Sequence, residues 1–171
     1  MRVADFIADF IFEELNVKHV FMVTGAGIMH LTDGVASHPK LQAICPHHEQ
    51  TSSMAIDAYS RASENFGVGF FTSGPGGTNA VTGLCGAWQD SVPCLFISGQ
   101  VKKKETTNNA KIPGLRQFGV QELDMIPIVK YACKYATTLN DPNKVKYEFE
   151  KAVHIAKSGR PGPVWIQIPM D

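Results

Sequence analysis

The feature that most constrains the fold is a regular alternation of short apolar runs with segments of helical periodicity. The apolar runs are continuous, as in Val68–Thr72 (VGFFT) and Cys94–Ser98 (CLFIS). A strand that is apolar at every position is buried on both faces, which is typical of a parallel sheet covered by helices on each side. We therefore expect an α/β fold with a doubly wound parallel sheet of about six strands and helices on both faces.

The predicted elements follow one another along the whole chain, so we treat residues 1–171 as one domain. Strands are predicted at residues 19–23, 41–45, 68–72, 94–98, 131–136 and 164–168. Helices are predicted at residues 3–15, after the Gly25–Gly27 turn, and at 48–63, 78–88 and 142–157. Asp141-Pro142 suits the start of the last helix, because Asp can cap and Pro fits the first turn. The polar stretch from Lys102 to Gln117 predicts a loop.

Charge and cysteine usage argue against several classes of function. Lys plus Arg and Asp plus Glu both number 16, so the charge balance does not favour nucleic acid or an acidic membrane surface as partner. The apolar runs are too short to span a bilayer, and charged residues interrupt the first of them. The four cysteines form no C-x-x-C pair, which argues against a zinc or redox motif and fits small buried thiols in a reducing compartment. We expect a cytoplasmic protein.

Three glycine-containing turns are predicted directly after strands, at Gly25–Gly27, Ser73–Gly77 and Gly99–Gln100. Ligands of an open parallel sheet bind outside the carboxyl ends of its strands, so these turns should lie along one edge. The second strand delivers the string PHHEQ to the same edge, with Glu49 in the first turn of a helix. A glutamate there can share a proton with a ring nitrogen of a ligand, or it can merely complement the helix dipole.

Other kinds of site fit this pattern poorly. The side chains of consecutive residues rarely point at one ion, so the string His47–Glu49 does not favour a metal site. The Gly25–Gly27 turn could begin a dinucleotide fingerprint, but His30 occupies the third glycine position and no acidic residue ends the second strand. The Gly74–Gly77 turn lacks the Lys-Ser/Thr of a P-loop, and Pro75 removes one of the N–H donors that such a loop uses.

Three strings, in order along the chain, carry a resemblance to a known family: PHHEQTSSMAIDAYSRA, TSGPGGTNAVTGLCGAWQDSVPCLFISGQV and SGRPGPVWIQIP. They resemble the pyrimidine-binding, N-terminal domain of thiamine-diphosphate-dependent enzymes of the acetolactate synthase and pyruvate oxidase-like family. The resemblance implies the pyrimidine-binding half of a carboligase or decarboxylase, a transferase or lyase that acts on a 2-keto acid.

The resemblance also assigns roles to residues. Glu49 matches the glutamate that bonds N1′ of the cofactor's aminopyrimidine. The proton shared there favours the imino tautomer, whose 4′-nitrogen removes the proton from C2 of the thiazolium, so Glu49 is the implied catalytic residue. Gly25, Thr72, Pro75 and Asn79 match the rest of the pyrimidine pocket.

On the substrate side the chain departs from acetolactate synthases. Gln121-Glu122 matches their F-Q-E string, in which the glutamine faces the active site of the neighbouring subunit, but Val120 replaces the phenylalanine. Val23-Thr24-Gly25 replaces the Tyr-Pro-Gly of the first turn. Both changes alter the wall near the acceptor and leave cofactor activation intact. The segment GLRQFGVQELD resembles relatives from sugar and surface-polysaccharide pathways.

The resemblance further implies partners that complete the site. The family holds the diphosphate and its Mg²⁺ on a separate domain through a Gly-Asp-Gly string, which this chain does not contain. We therefore expect a fragment or split subunit without metal ligands of its own, inactive alone and paired with the diphosphate-binding domain of a partner subunit. The resemblance implies a homo-oligomer, at least a dimer. The predicted helix 78–88 supports this, because it is apolar nearly all round and needs cover on more than one side. The FAD requirement stays open.

Two alternative functions, from other classes of protein, remain. One is a nucleotide-binding α/β domain, which the broken glycine fingerprint disfavours. The other is a non-catalytic oligomerisation module that retains the fold, which the presence of Glu49 disfavours.

Overall fold

The computed structural model describes residues 1–171 and contains one six-stranded sheet in which every strand pair is parallel. The strand order is β2-β1-β3-β4-β6-β5. The strands are β1 His19–Met22, β2 Gln42–Ile44, β3 Gly67–Phe71, β4 Cys94–Gln100, β5 Tyr135–Thr138 and β6 Val164–Pro169. The predicted doubly wound parallel sheet is confirmed.

Eight α-helices surround the sheet. They are α1 Val3–Asp9, α2 Met29–Ser37, α3 Glu49–Ser63, α4 Pro75–Asn79, α5 Val81–Gln89, α6 Thr107–Ala110, α7 Ile126–Val129 and α8 Val145–Lys157. A π-helical turn, Phe10–Glu14, continues α1, and 3-10 turns occupy Ala26–Ile28, Lys103–Glu105 and Pro142–Lys144. None of the helices combines the length and apolarity needed to cross a membrane.

The sheet separates two apolar cores. Helices α1, α2 and α8 contribute to one core through buried residues such as Ile7, Leu31 and Phe149. Helices α3, α5 and α7 contribute to the other, in which the Trp165 ring lies 5.6 Å from that of Phe96. The central strands β3, β4 and β6 are buried at every position, whereas the edge strands β2 and β5 are not. Burial on both faces explains why the central strands are continuously apolar.

Three predicted boundaries are wrong for identifiable reasons. Residues 131–134 do not belong to the fifth strand, because Ala132 N–H and the Cys133 thiol both bond the Val129 carbonyl and extend the turn after α7. The predicted helix 78–88 is interrupted at Ala80, whose N–H bonds Gly77 in a tightened turn. Gly99–Gln100, predicted as a turn, are the last residues of β4.

The predicted cap by Asp141 is present, but it begins the 3-10 turn Pro142–Lys144, and α8 itself begins at Val145. Asp141 Oδ1 accepts a hydrogen bond from Asn143 N–H at 3.0 Å, and Pro142 occupies the first turn. At the other end, the Lys134 ammonium donates to the carbonyls of Ile155 and Ser158. These contacts satisfy backbone groups that a helix leaves unpaired at its ends.

Candidate functional site

The candidate site lies where the strand order reverses. The chain leaves β1 for β2 on one side and then returns to β3 on the other, which opens a crevice between the carboxyl ends of β1 and β3. Gly25 follows β1 and Thr72 follows β3. Gly27 N–H donates to Thr72 Oγ1 at 3.1 Å and so joins the two turns directly.

Gly25 allows the first turn to approach Thr72 closely. A Cβ placed on Gly25 would lie 2.5 Å from Thr72 Cβ. The backbone of Gly25 is extended, so glycine is needed here for space and not for conformation. The close approach leaves bare backbone at the floor of the crevice, where a flat ring could stack against it.

Glu49 begins α3 and reaches across to the next helix. Its Oε2 accepts a hydrogen bond from Asn79 Nδ2 at 2.9 Å. Its Oε1 has no hydrogen-bond partner in the protein and lies 3.4 Å from where a Cβ on Gly76 would be. Glu49 is half-buried at the first position of the helix. One oxygen is therefore anchored and the other is available to a ligand.

The structure brings the predicted cofactor-binding residues to one edge. Asn79 ends α4, and Pro75 begins it with an exposed ring, so both flank the glycine turn beneath Glu49. Thr72 is half-buried below them. The site is open to solvent on its outer side. A cavity of about 300 Å³ lies elsewhere, between α1 and the end of β6.

The predicted substrate-side residues lie against the same turn. Gln121 has a left-handed backbone, with φ of 58°, and its carbonyl oxygen would be 2.2 Å from a Cβ on Gly74. Gly74 itself has φ of 60°, a conformation that glycine adopts without strain. Val120 is 83% exposed beside this contact. The turn therefore separates Glu49 on one side from Gln121 on the other.

Three polar residues near the site were not predicted from the sequence to have a role. Gln100 and Gln167 are buried at the carboxyl ends of β4 and β6, and Glu122 accepts three hydrogen bonds within the loop that follows β4. A polar residue that interrupts a continuously apolar strand near its carboxyl end is the signal that could have identified the two glutamines.

The burial of the cysteines and the grouping of the potential metal ligands bear on whether the chain has a second site. Burial raises the pKa of the Cys94 and Cys133 thiols to about 12, so both stay protonated at neutral pH. All four cysteines are free. No group of three or more His, Cys, Asp or Glu side chains is arranged to hold a metal ion.

Comparisons of the sequence with a family model and with individual proteins agree with each other. Residues 1–128 match the family described as thiamine pyrophosphate enzyme, N-terminal TPP binding domain. The mitochondrial acetolactate synthase of Schizosaccharomyces pombe is 36% identical over 156 residues, which cover 91% of this chain and 22% of that protein. The acetolactate synthase large subunit of Porphyra purpurea is 38% identical over 159 residues, 91% of this chain and 25% of the relative. The chain thus spans about a quarter of the length of these relatives.

Proposed function

Since the chain belongs to the family of N-terminal TPP binding domains of thiamine pyrophosphate enzymes, we propose that it is the pyrimidine-binding half of an acetolactate-synthase-like carboligase or decarboxylase. Its substrate would be a 2-keto acid, and its cofactor thiamine diphosphate. The observation that carries the proposal is the Glu49 carboxylate, with Oε2 held by Asn79 and Oε1 unpaired above the glycine turn.

Glu49 would share a proton with a ring nitrogen of the pyrimidine. The hydrogen bond from Asn79 fixes the direction of the carboxylate, so Oε1 does not have to be ordered when the ring binds. When bound, the cofactor supplies a nucleophilic carbon, C2 of its thiazolium ring.

The other residues would bind and orient the ring. Gly25 and Thr72 meet without an intervening side chain, which supports stacking of the pyrimidine on backbone. Pro75 offers an exposed apolar surface, and the Asn79 amide offers both a donor and an acceptor. We place the diphosphate and its Mg²⁺ on a separate domain of a partner subunit, so that the complete site needs at least a dimer.

Val120 and Gln121 would face the acceptor substrate. The position of Gln121 against the Gly74 turn, with Val120 next to it in sequence, supports this role. A valine in place of an aromatic side chain makes this wall smaller, which favours an acceptor other than a second small keto acid, such as an intermediate of a sugar or surface-polysaccharide pathway.

Glu49→Gln in the assembled enzyme tests the proposal. The amide keeps the shape of the side chain but cannot hold the proton in the same way, so exchange of the C2 proton of the bound cofactor should fall about 100-fold or more. Glu64→Gln is the matched control, because Glu64 is exposed at the opposite end of α3 and makes no side-chain hydrogen bond. Near-normal exchange in a folded Glu49→Gln enzyme would contradict the assignment.

A further inference from the structure

The segment that carries Val120 and Gln121 is anchored to the sheet at its end. Gln100 Nε2 donates to the Leu123 carbonyl at 2.8 Å, and Gln167 Oε1 accepts from Met125 N–H at 2.9 Å. Both glutamines are buried at the carboxyl ends of neighbouring strands. These two hydrogen bonds hold the backbone of residues 123–125 against the edge of the sheet. Residues 102–122, which precede this anchored segment, form a loop that we call the acceptor loop.

One carboxylate ties the acceptor loop together. Glu122 Oε1 accepts from both the N–H and the hydroxyl of Thr107 at 2.8 Å, and Oε2 accepts from Phe118 N–H at 3.2 Å. Hydrogen bonds to an ionised acceptor are stronger than neutral ones. All the donors belong to the loop itself, so these bonds determine the shape of the loop and not its attachment to the core.

Gln121 needs such support because of its conformation. A non-glycine residue in the left-handed region is strained and persists only when its surroundings hold it. Gln121 precedes Glu122 directly, and its carbonyl oxygen fits against Gly74, where only glycine leaves room. The hydrogen bonds of Glu122 therefore hold Gln121 against the turn beneath Glu49.

We propose that Glu122 is a positioning residue for the acceptor step, because it holds Val120 and Gln121 beside the Gly74–Gly77 turn. The inference rests on the proposed function. Glu122 does not contact the cofactor residues itself, so it should affect how the acceptor binds and reacts without affecting the proton exchange that Glu49 controls.

Glu122→Ala and Glu122→Gln in the assembled holoenzyme test this separation. The alanine variant loses all three bonds, whereas the glutamine variant keeps an acceptor for Thr107 and loses the one for Phe118 N–H. We expect kcat/KM for the acceptor to fall about tenfold or more in Glu122→Ala and by less in Glu122→Gln. Exchange of the C2 proton should stay within about twofold of wild type. Glu105→Gln is the control, since Glu105 lies in the same loop and its side chain makes no hydrogen bond.

Limited proteolysis gives a readout that is independent of activity. The acceptor loop contains trypsin sites at Lys102, Lys103, Lys104, Lys111 and Arg116. Cleavage within the loop should become about tenfold faster in Glu122→Ala, because the loop opens more often. Glu105→Gln should be cleaved like wild type.

The outcomes separate the two proposals. If a folded Glu122→Ala enzyme keeps both wild-type acceptor kinetics and wild-type cleavage, the positioning role is wrong. The role is also wrong if proton exchange and acceptor kinetics fall together with the melting temperature, since that would indicate general destabilisation. If wild-type holoenzyme shows no proton exchange at all, the proposed function fails, while the cleavage rates still decide whether Glu122 holds the loop.

Discussion

Of the two roles that a glutamate at a helix start can have, a single hydrogen bond supports the proposed sharing of a proton. A carboxylate that only complements the dipole of α3 needs no partner, yet Glu49 accepts from Asn79, 30 positions away in sequence. Asn79 is exposed, and hydrogen bonds at exposed sites contribute little to the free energy of unfolding. The value of this bond is therefore the direction that it gives to the carboxylate, which is what a proton-sharing group requires.

The buried thiol of Cys94 makes the stability of the chain depend on alkaline pH. Burial raises its pKa from 9.0 to about 12 in the folded state, so above pH 9 the unfolded chain releases this proton first. Stability that is present below that pH is then lost as pH rises. Between pH 9 and pH 10 the unfolding free energy of wild type should fall by roughly 1 kcal/mol more than that of Cys94→Ala.

Urea unfolding at several pH values measures this difference. Cys45→Ala removes an exposed thiol and is the matched control, expected to follow the wild-type dependence. Parallel curves for wild type and Cys94→Ala would show that the Cys94 thiol does not contribute.

At the scale of elements, the crevice depends on how closely two turns meet. The backbone of Gly25 is extended, which any residue can adopt, so Gly25→Ala has only a steric cost. Its methyl group would meet Thr72 Cβ at 2.5 Å and push the turns apart, which should destabilise the chain by about 1–3 kcal/mol. The denaturant midpoint measures the effect.

Gly86→Ala is the contrasting variant. Gly86 lies in α5, and nothing is within 4 Å of a Cβ placed there. Alanine has the higher helix propensity, so this change should stabilise the chain by up to about 1 kcal/mol. Equal effects of the two substitutions would mean that the close approach of the turns is not a constraint.

Some elements of the fold could be predicted from the sequence and others could not. The central strands were predictable because burial on both faces makes them continuously apolar. The start of β5 was not, because it depends on a hydrogen bond from Lys134 N–H to the carbonyl of Pro163, which lies far along the chain. The position of Glu49 followed from a strand that leads into a helix.

The partners of the site residues were less predictable than the residues themselves. The bond between Glu49 and Asn79 joins the start of α3 to the last residue of α4, and the break of the helix at Ala80 was not predicted. The contact of Gln121 with Gly74 requires a left-handed glutamine, for which the sequence gives no local signal.

At the scale of the whole molecule, α3 and α5 form a paired surface that is only partly covered. The helices pack closely, since a Cβ on Gly83 would lie 2.3 Å from Ser53 Oγ. Leu84 and Ala87 face the core, whereas Trp88 is 42% and Met54 49% exposed. Large exposed apolar side chains on neighbouring helices favour an interface, and two-fold pairing is the commonest arrangement for identical chains.

We therefore expect the chain to self-associate through the α3–α5 surface. Sedimentation at about 10–50 µM, where a modest interface becomes visible, should show a dimer. Trp88→Lys should weaken association about tenfold or more, because it buries a charge in place of an apolar ring. Tyr147→Lys on α8 is the control, since Tyr147 is also exposed but belongs to the opposite face. A wild-type chain that stays monomeric would contradict this surface.

The two tryptophans occupy opposite environments, and this gives the molecule two separate optical signals. Trp165 is fully buried, stacked with Phe71 and Phe96, and its indole N–H donates to Ser98 Oγ at 2.9 Å. Trp88 contacts solvent at the α3–α5 surface. Emission from Trp165 therefore follows the integrity of the sheet, and emission from Trp88 follows the access of water to the helices. Unfolding would change the emission of Trp165, and the proposed self-association would change that of Trp88.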